Sequence, residues 1–595
     1  MKITKLGALP PGETLDADIV IVGGGMAGLT LATELAGSGS RIVILESGVV
    51  GLDARYQELN RVECEGDEHF DPQSAFRRKY HGANCPVWDP EIEPYGMRLR
   101  AFGGSSAYWG GKVATFDAVD FTARAWAPGT GWPISADELA PYYDRVSPYL
   151  NLGPNIYDER LWPLLHKLPF APAIDPARLR TTFWQFARSR VDKLDMVRFG
   201  KDYLDVDNPD TDVIIDATVT RIDLTENQSA FKGVAISTYA GERYYLTART
   251  CVIAASAIEN ARLLLASNHQ HTAGLGNQGD ILGRYLMDHP GALLGSVPAR
   301  AAGPLLRRFG FFGLRHNLRT HMYMHGLTLA DEVQRAEHLL NTAMFMLEDV
   351  AVDDPFKAAV RLAKLKRGSI LRDVWSVLSG AGLLAKGVGM KIFQSNYMPE
   401  RLKDVIINTV IRINPNMVVR EYQSINMPHK LFAFDIHGIT EQAPNPESRI
   451  TLSQATDRFG VPRASVAWKV GVLEARSLMR AAETLRDEFA RIGLPEPKLA
   501  DWIGRREPET ARLIDMAHSM GTTRMSADPM AGVVDTDCRV HGVRGLYVAG
   551  GSVFPTSGHA NPTLMILSLV IRLADHLKAT RSTVAQALGG AKESR

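Results

Sequence analysis

Residues 19–46 read Ile19-Val20-Ile21-Val22-Gly23-Gly24-Gly25-Met26-Ala27-Gly28, continue as LTLATELAGSGS over 29–40, and close on Arg41-Ile42-Val43-Ile44-Leu45-Glu46. The opening run is rich in β-branched residues and has the pattern of a strand buried on both faces. Gly23-x-Gly25-x-x-Gly28 follows at once, then apolar residues at helical spacing, then a second apolar run. This is a strand, a glycine turn, a helix and a strand. Gly23 suits the tight turn, Gly25 the close approach of a pyrophosphate, and Gly28 the packing of helix on strand. The helix N-terminus offers free N–H groups and partial positive charge to phosphates. Glu46 stands where a carboxylate accepts hydrogen bonds from ribose hydroxyls. The alternative is an ordinary glycine-rich strand–helix turn; the flanking strands and the acidic end favour a dinucleotide site. The motif suits FAD and NAD alike.

The chain has 595 residues, too many for one ordinary core, so two or more domains are expected. A net charge of +1 gives no global field for nucleic acid, and none is expected as a partner. The opening MKITKLGALPPGETLDAD has no long apolar core, and no long apolar run suggests a membrane span, so a cytoplasmic setting is expected. Cys64, Cys85, Cys251 and Cys538 show no metal spacing and read as free thiols; pairing of Cys64 with Cys85 stays open.

Residues 50–97 read as irregular structure over the nucleotide. Arg98–Lys112, RLRAFGGSSAYWGGK, brackets small and aromatic residues with paired glycines, as backbone packed against a flat ligand does; a glycine-rich surface loop is the alternative. Ser135 reads as an N-cap with Glu138 as its capping-box partner. Val213–Ile222 reads as one strand, with further strand pattern at Gly233–Ser237, Tyr244–Leu246 and Cys251–Ala255, then a helix over 256–266. His289, before a proline, is held extended and reads as structural. Residues 330–425 look largely helical. Within them, 356–395 carries eight lysines and arginines against Asp373 alone, interleaved with apolar residues. Such a segment can lie on an anionic membrane surface or a partner, or be a plain helical insertion. Val472–Ile492 is a long amphipathic helix.

The second informative stretch begins at Met516 with MAHSMGTTRM and runs through a buried strand, Leu546–Val548, into Ala549-Gly550-Gly551 and SVFPTSGHANPTL (552–564). Asn561 is placed as an N-cap and Pro562 as the first helical residue of a helix to about Leu577. That helix end stabilises negative charge, as reduced flavin would require.

These pieces together resemble the glucose–methanol–choline (GMC) oxidoreductase family of FAD enzymes. The matching motifs are GGGMAG with Glu46, FGGSSAYWGG, AIENARLLLAS, LGRYLMDHP, EQAPNPESRITL and HSMGTTRM…ANPTL. They run from about residue 17 to 578 and leave 330–430 uncovered. Gly550-Gly551 and Asn561-Pro562-Thr563 resemble the pyranose-oxidase and sugar-dehydrogenase branch, whereas much of the wider family has an Asp where Gly550 stands.

The resemblance implies an α/β fold, an FAD-binding Rossmann-like domain with a substrate domain built on an antiparallel sheet plus helices. The FAD-binding part is expected at 1–120, 205–300 and 515–595, and the substrate part at 121–204 and 301–514. It implies oxidation of a CH–OH group to a carbonyl, with a sugar, glycoside or polyol as the expected donor. His518 is expected to take the hydroxyl proton as hydride passes to flavin N5, with Asn561 holding the substrate oxygen and His559 a secondary group. His541 reads as structural. The FAD contacts implied are Gly23, Gly25, Gly28, Glu46, Gly103, Gly104, Ser105, Ser106, Tyr108, Val219, Gly550, Gly551, Pro562 and Thr563. Pyranose oxidase carries a flavin-linked histidine where Tyr108 stands, so non-covalent FAD is expected. The electron acceptor (oxygen, a quinone or a protein) is not legible. Oxidation of a bulky lipophilic or anionic alcohol, at a membrane or with a partner, and a non-redox FAD lyase are the alternatives.

Overall fold

The computed structural model describes residues 1–85, 87–165, 173–191, 195–317, 319–350 and 431–593, and between 351 and 430 only the helix Ile370–Ser379 and isolated residues. Most of the basic segment 356–395, and with it the expected membrane or partner contact, lies outside the described residues.

Two sheets organise the chain. The first has the order Lys2–Lys5, Thr211–Ile215, Ile42–Leu45, Thr14–Val22, Arg243–Ile253, Phe231–Ser237 and Thr218–Leu224, with Leu546–Val548 also pairing to Arg243–Ile253. Its core is parallel, with Val20 against Val43 on one side and Cys251 on the other. All four positions of Ile42–Leu45 are buried, as the continuous apolar run predicts for a strand covered on both faces. The last two strands form an antiparallel hairpin.

The stretch 213–222, read as one strand, is two. Asp216 adopts φ 57 and turns the chain between Thr211–Ile215 and Thr218–Leu224. Conversely, Tyr244–Leu246 and Cys251–Ala255 fall on or at the end of one long strand, Arg243–Ile253. Residues 50–97 are not irregular throughout: they hold helices at Ala54–Gln57 and Ala75–Asn84, capped by the side chains of Asp53 and Ser74. The four cysteines are all free, so Cys64 and Cys85 do not pair.

The second sheet is antiparallel throughout, in the order Lys498–Leu499, Gly291–Pro298, Leu431–Thr440, Thr342–Val350, Arg319–Leu329, Leu179–Phe186 and Lys112–Val113, with Phe311–His316 added to Arg319–Leu329. Thr342–Val350 is therefore strand within a region expected to be helical. Strands Lys112–Val113 and Gly291–Pro298 carry the chain from the first sheet into the second. One face packs on the helix Val472–Arg491: a side chain at Gly438 would meet Leu478 at 2.7 Å. The period-2 alternation of strands then sends Phe345, His437 and Trp184 to the opposite face. Trp184 lies across Gly326, where a Cβ would come 2.3 Å from its ring.

The C-terminal helix Thr563–Glu593, longer than its expected end near Leu577, packs against Met26–Glu34 and Ala136–Leu150. Among the described residues no helix is long and apolar enough to cross a membrane.

Candidate functional site

The nucleotide end of the candidate site is built on two glycine turns. A Cβ on Gly28 would lie 2.1 Å from the carbonyl oxygen of Gly23, so only glycine lets this helix sit on this turn. Gly25 is different: its added Cβ would meet nothing nearer than Gly104 Cα at 3.9 Å. Gly104, at φ 59, approaches from the other side, and its own Cβ would come within 3.0 Å of Gly25 Cα. Two glycine backbones thus face each other across a gap at the N-terminus of Met26–Glu34, where helix N–H groups lack intrahelical partners. Phosphates fit there and side chains do not.

Glu46 is buried and accepts the N–H groups of Gly24 at 2.8 Å and Gly48 at 2.7 Å. Burial pushes its pKa up. Beside it opens a small cleft lined by Gly23, Ser47, Arg100, Val219 and Glu259 among others. Val219 thus lines this cleft. Ser105 and Ser106 spend their hydroxyls on the protein: Ser105 Oγ accepts from Leu99 N, and Ser106 Oγ donates to Gly103 O at 2.6 Å and accepts from Phe199 N at 2.9 Å. Tyr108 ends the same turn and is half-buried. Gly550, at φ 111, has open space where a Cβ would stand, and Gly551 packs on Met520. The C-terminal helix begins at Thr563, so Pro562 stands just before it and not as its first residue. An open glycine cradle, a helix N-terminus and a buried acid at the end of the second strand fit FAD.

His518 and Asn561 are 43 residues apart in sequence and meet: Asn561 Nδ2 lies 3.3 Å from His518 Nε2. Asn561 does not cap the helix as expected. Its amide turns to His518, and its Oδ1 is buried without a protein partner. Burial first, then the charge of Lys112, hold His518 down to about 3. The Lys112 ammonium stands 4.0 Å from the Trp184 ring centroid and 3.7 Å from that of Phe345. Burial drives the pKa of Lys112 well below its ordinary value.

His559 does not join this pair. Its Nε2 is 2.9 Å from Asp117 Oδ2, and Asn341 Nδ2 bridges Asp117 and Asp120 at 3.0 and 2.9 Å. Burial opposes the charge on His559, but the hydrogen bond and charge of Asp117 prevail and its pKa is raised. Asp120, buried and facing Asp117, is pushed up to about 7. His541 Nε2 lies 3.0 Å from Ser526 O, a structural place.

Sequence pattern marks His289 as structural and does not single out Asp288. His289 is fully buried, with Nδ1 3.1 Å from His518 Nδ1 and Nε2 3.3 Å from Ser557 O. Asp288 accepts the N–H groups of His289, Met516 and His518 at 2.7, 2.9 and 2.9 Å. Behind it Asp515 pairs with Arg77 at 2.5 Å and His81 at 3.1 Å, all buried. The only signal for this shell was the pair Asp288-His289 inside LGRYLMDHP; nothing local says that it lies against residues 515–518.

Comparison with known proteins agrees with this architecture. A family model described as GMC oxidoreductase matches residues 444–569, and one for an NAD(P)-binding Rossmann-like domain matches 21–71. The fructose dehydrogenase large subunit of Gluconobacter japonicus is 22% identical, covering 95% of this chain and 98% of that protein. The 2-methyl-1,2-propanediol dehydrogenase of Mycolicibacterium austroafricanum is 22% identical (95% and 96%), and paromamine 6'-oxidase of Streptomyces fradiae 23% (94% and 90%). Among solved structures, a formate oxidase superposes with a TM-score of 0.54 at 17% identity, over 97% of this chain and 100% of the other. With the glycine cradle, the buried Glu46 and the His518 segment in place, the chain carries a GMC oxidoreductase C-terminal region and, over nearly its whole length, resembles dehydrogenases and oxidases of CH–OH donors.

Proposed function

We propose that this protein oxidises a CH–OH group of a sugar, glycoside or polyol to a carbonyl, with His518 as the base and Asn561 as the oxygen-binding group. The observation that carries this reading is the 3.3 Å approach of Asn561 Nδ2 to His518 Nε2, beside the open turn at Gly550. FAD, when bound, supplies the acceptor for the hydride. His518, held neutral well below pH 7, receives the hydroxyl proton at Nε2. Asn561 Nδ2 donates to the alcohol oxygen without competing for that proton. The antiparallel sheet closes the site with Trp184 and Phe345, flat apolar faces of the kind that cover sugar rings. The full-length likeness to a fructose dehydrogenase subunit, a propanediol dehydrogenase and a paromamine oxidase supports a hydroxyl-bearing donor of this kind. Tyr108, which cannot form a histidyl link, supports non-covalent FAD.

A second reading, an anionic alcohol, is favoured by Lys112. Among the described residues no carboxylate lies within 4.0 Å of its ammonium, and it stands close enough to His518 to act on its charge.

Anaerobic flavin absorbance, titrated with sugars, glycosides, polyols and sugar acids, tests both readings. Bleaching by a neutral polyol, slowed by about 10²–10⁴ in His518→Ala, is the expected result. Preference for sugar acids would select the second reading. Bound FAD that no alcohol bleaches would overturn both. Acid precipitation should release all the flavin.

A further inference from the structure

His289 reads in the sequence as structural, yet its ring touches the ring of His518 edge-on, with centroids 5.0 Å apart and planes at 68°. The two Nδ1 atoms are 3.1 Å apart. Two imidazole nitrogens at this distance share one hydrogen, so one donates and the other accepts. The surroundings decide which.

His289 Nε2 faces the carbonyl oxygen of Ser557 at 3.3 Å, and a carbonyl only accepts. The Nε2 of His289 therefore carries its hydrogen. The ring is fully buried, and burial, then the charge of His518, hold it neutral. A neutral ring with hydrogen on Nε2 has a bare Nδ1. The hydrogen between the two rings thus belongs to His518 Nδ1. The far end of His518 agrees: its Nε2 faces the amide nitrogen of Asn561, a donor, at 3.3 Å, and so presents a lone pair.

We propose that His289 is a positioning residue that fixes the tautomer of His518, keeping hydrogen on Nδ1 and the lone pair of Nε2 toward the substrate. The inference rests on His518 being the base. When Nε2 takes the alcohol proton, His518 becomes imidazolium. Its Nδ1–H bond to His289 then becomes charge-assisted, which strengthens it at the moment the charge forms. His289 touches neither substrate nor flavin in this role. Asp288, through the backbone N–H groups of His289 and His518, holds both rings in register.

The test compares His289→Leu, which fills the space but cannot accept, with His289→Asn, whose Oδ1 reaches the place of the ring Nδ1. FAD content and thermal unfolding are measured for each holoenzyme. Flavin reduction by the best alcohol should slow at least about tenfold in His289→Leu and recover most of that loss in His289→Asn, since a wrongly protonated ring is a poor base. In 15N-histidine-labelled wild-type holoenzyme, the His518 resonances, assigned by their loss in His518→Ala, should show a protonated Nδ1 and a bare Nε2. If His518→Ala abolishes reduction while His289→Leu reacts like the wild type, or if the spectrum shows hydrogen on Nε2, the tautomer inference is overturned and the base reading survives. If His518→Ala itself still reduces normally, the base reading fails. Should His289→Leu not fold, the wild-type spectrum alone decides.

Discussion

The carboxylate of Asp288 grips the chain on both sides of Ala517, accepting the N–H of Met516 on one oxygen and that of His518 on the other, each at 2.9 Å. Ala517 lies between them at φ 58, a left-handed conformation that an alanine adopts at a cost of about 1–2 kcal/mol. The strain is held by the two N–H bonds, and it turns the backbone so that His518 leaves the loop next to His289.

Asp288→Ala should therefore loosen the loop that carries the proposed base, His518. With three buried N–H groups left without their acceptor, a loss of about 2–4 kcal/mol is expected in urea unfolding. Flavin reduction should slow while FAD stays bound. Burial, then the charge of Asp515, push the Asp288 carboxyl up, above its value in the unfolded chain. The native state thus gives up this proton at higher pH than the unfolded chain, and this group's contribution to stability falls as pH rises above the unfolded value near 4. Asp288→Asn, which cannot ionise, should flatten that slope.

The low pKa of His518 predicts a broad pH profile. The proposed base must be neutral to act, and at about 3 its charging lies far below neutrality, so flavin reduction should show no acid limb from His518 between pH 5 and 8. Lys112→Met removes a cation whose charge helps to depress His518 and should move the acid limb upward. Stopped-flow reduction across pH checks the sign; a downward shift would remove Lys112 from this role.

Arg77 and Asp515 form an ion pair with both side chains fully buried. Removing one partner leaves a buried charge, so Arg77→Met should destabilise by about 3–5 kcal/mol near pH 7. Burial acts to raise Asp515, but the charges of Arg77 and His81 outweigh it and the carboxyl is strongly depressed. Its stabilisation is present above the unfolded value near 4 and is lost as pH falls. The gap between wild type and Arg77→Met should accordingly narrow in unfolding measured at acid pH.

Gly103→Ala should cost both FAD and stability. Gly103 has φ 93, and its Cβ would stand 2.0 Å from Gly200 N. The dihedral alone costs about 1–3 kcal/mol, and the clash adds to it. Gly241, at φ 99 with nothing within 4 Å, isolates the dihedral part. Gly241→Ala should lose only that amount and keep its flavin, as flavin fluorescence during thermal unfolding would report.

What was legible in the chain was local. The buried run Ile19–Val22, the glycines that follow it and Glu46 specify a strand–turn–helix–strand unit, because each residue's role depends on neighbours a few positions away. The motif order was enough to point to the family and the cofactor, and to single out His518 and Asn561 as candidates. What the tertiary structure decided was every relationship across long separations. Asp216 breaks a strand that apolar pattern alone would have continued. Thr342–Val350 becomes a strand because Leu431–Thr440 lies beside it. Asn561, a fitting N-cap by type, faces His518, while His559, two residues away, is drawn to Asp117. His289 reads as packing because hydrogen bonds to a ring from 229 residues further on leave no periodic trace in the sequence. Spacing reports which face of an element is apolar; it is the meeting of elements that decides which buried nitrogen finds a donor and which is left bare to take a proton.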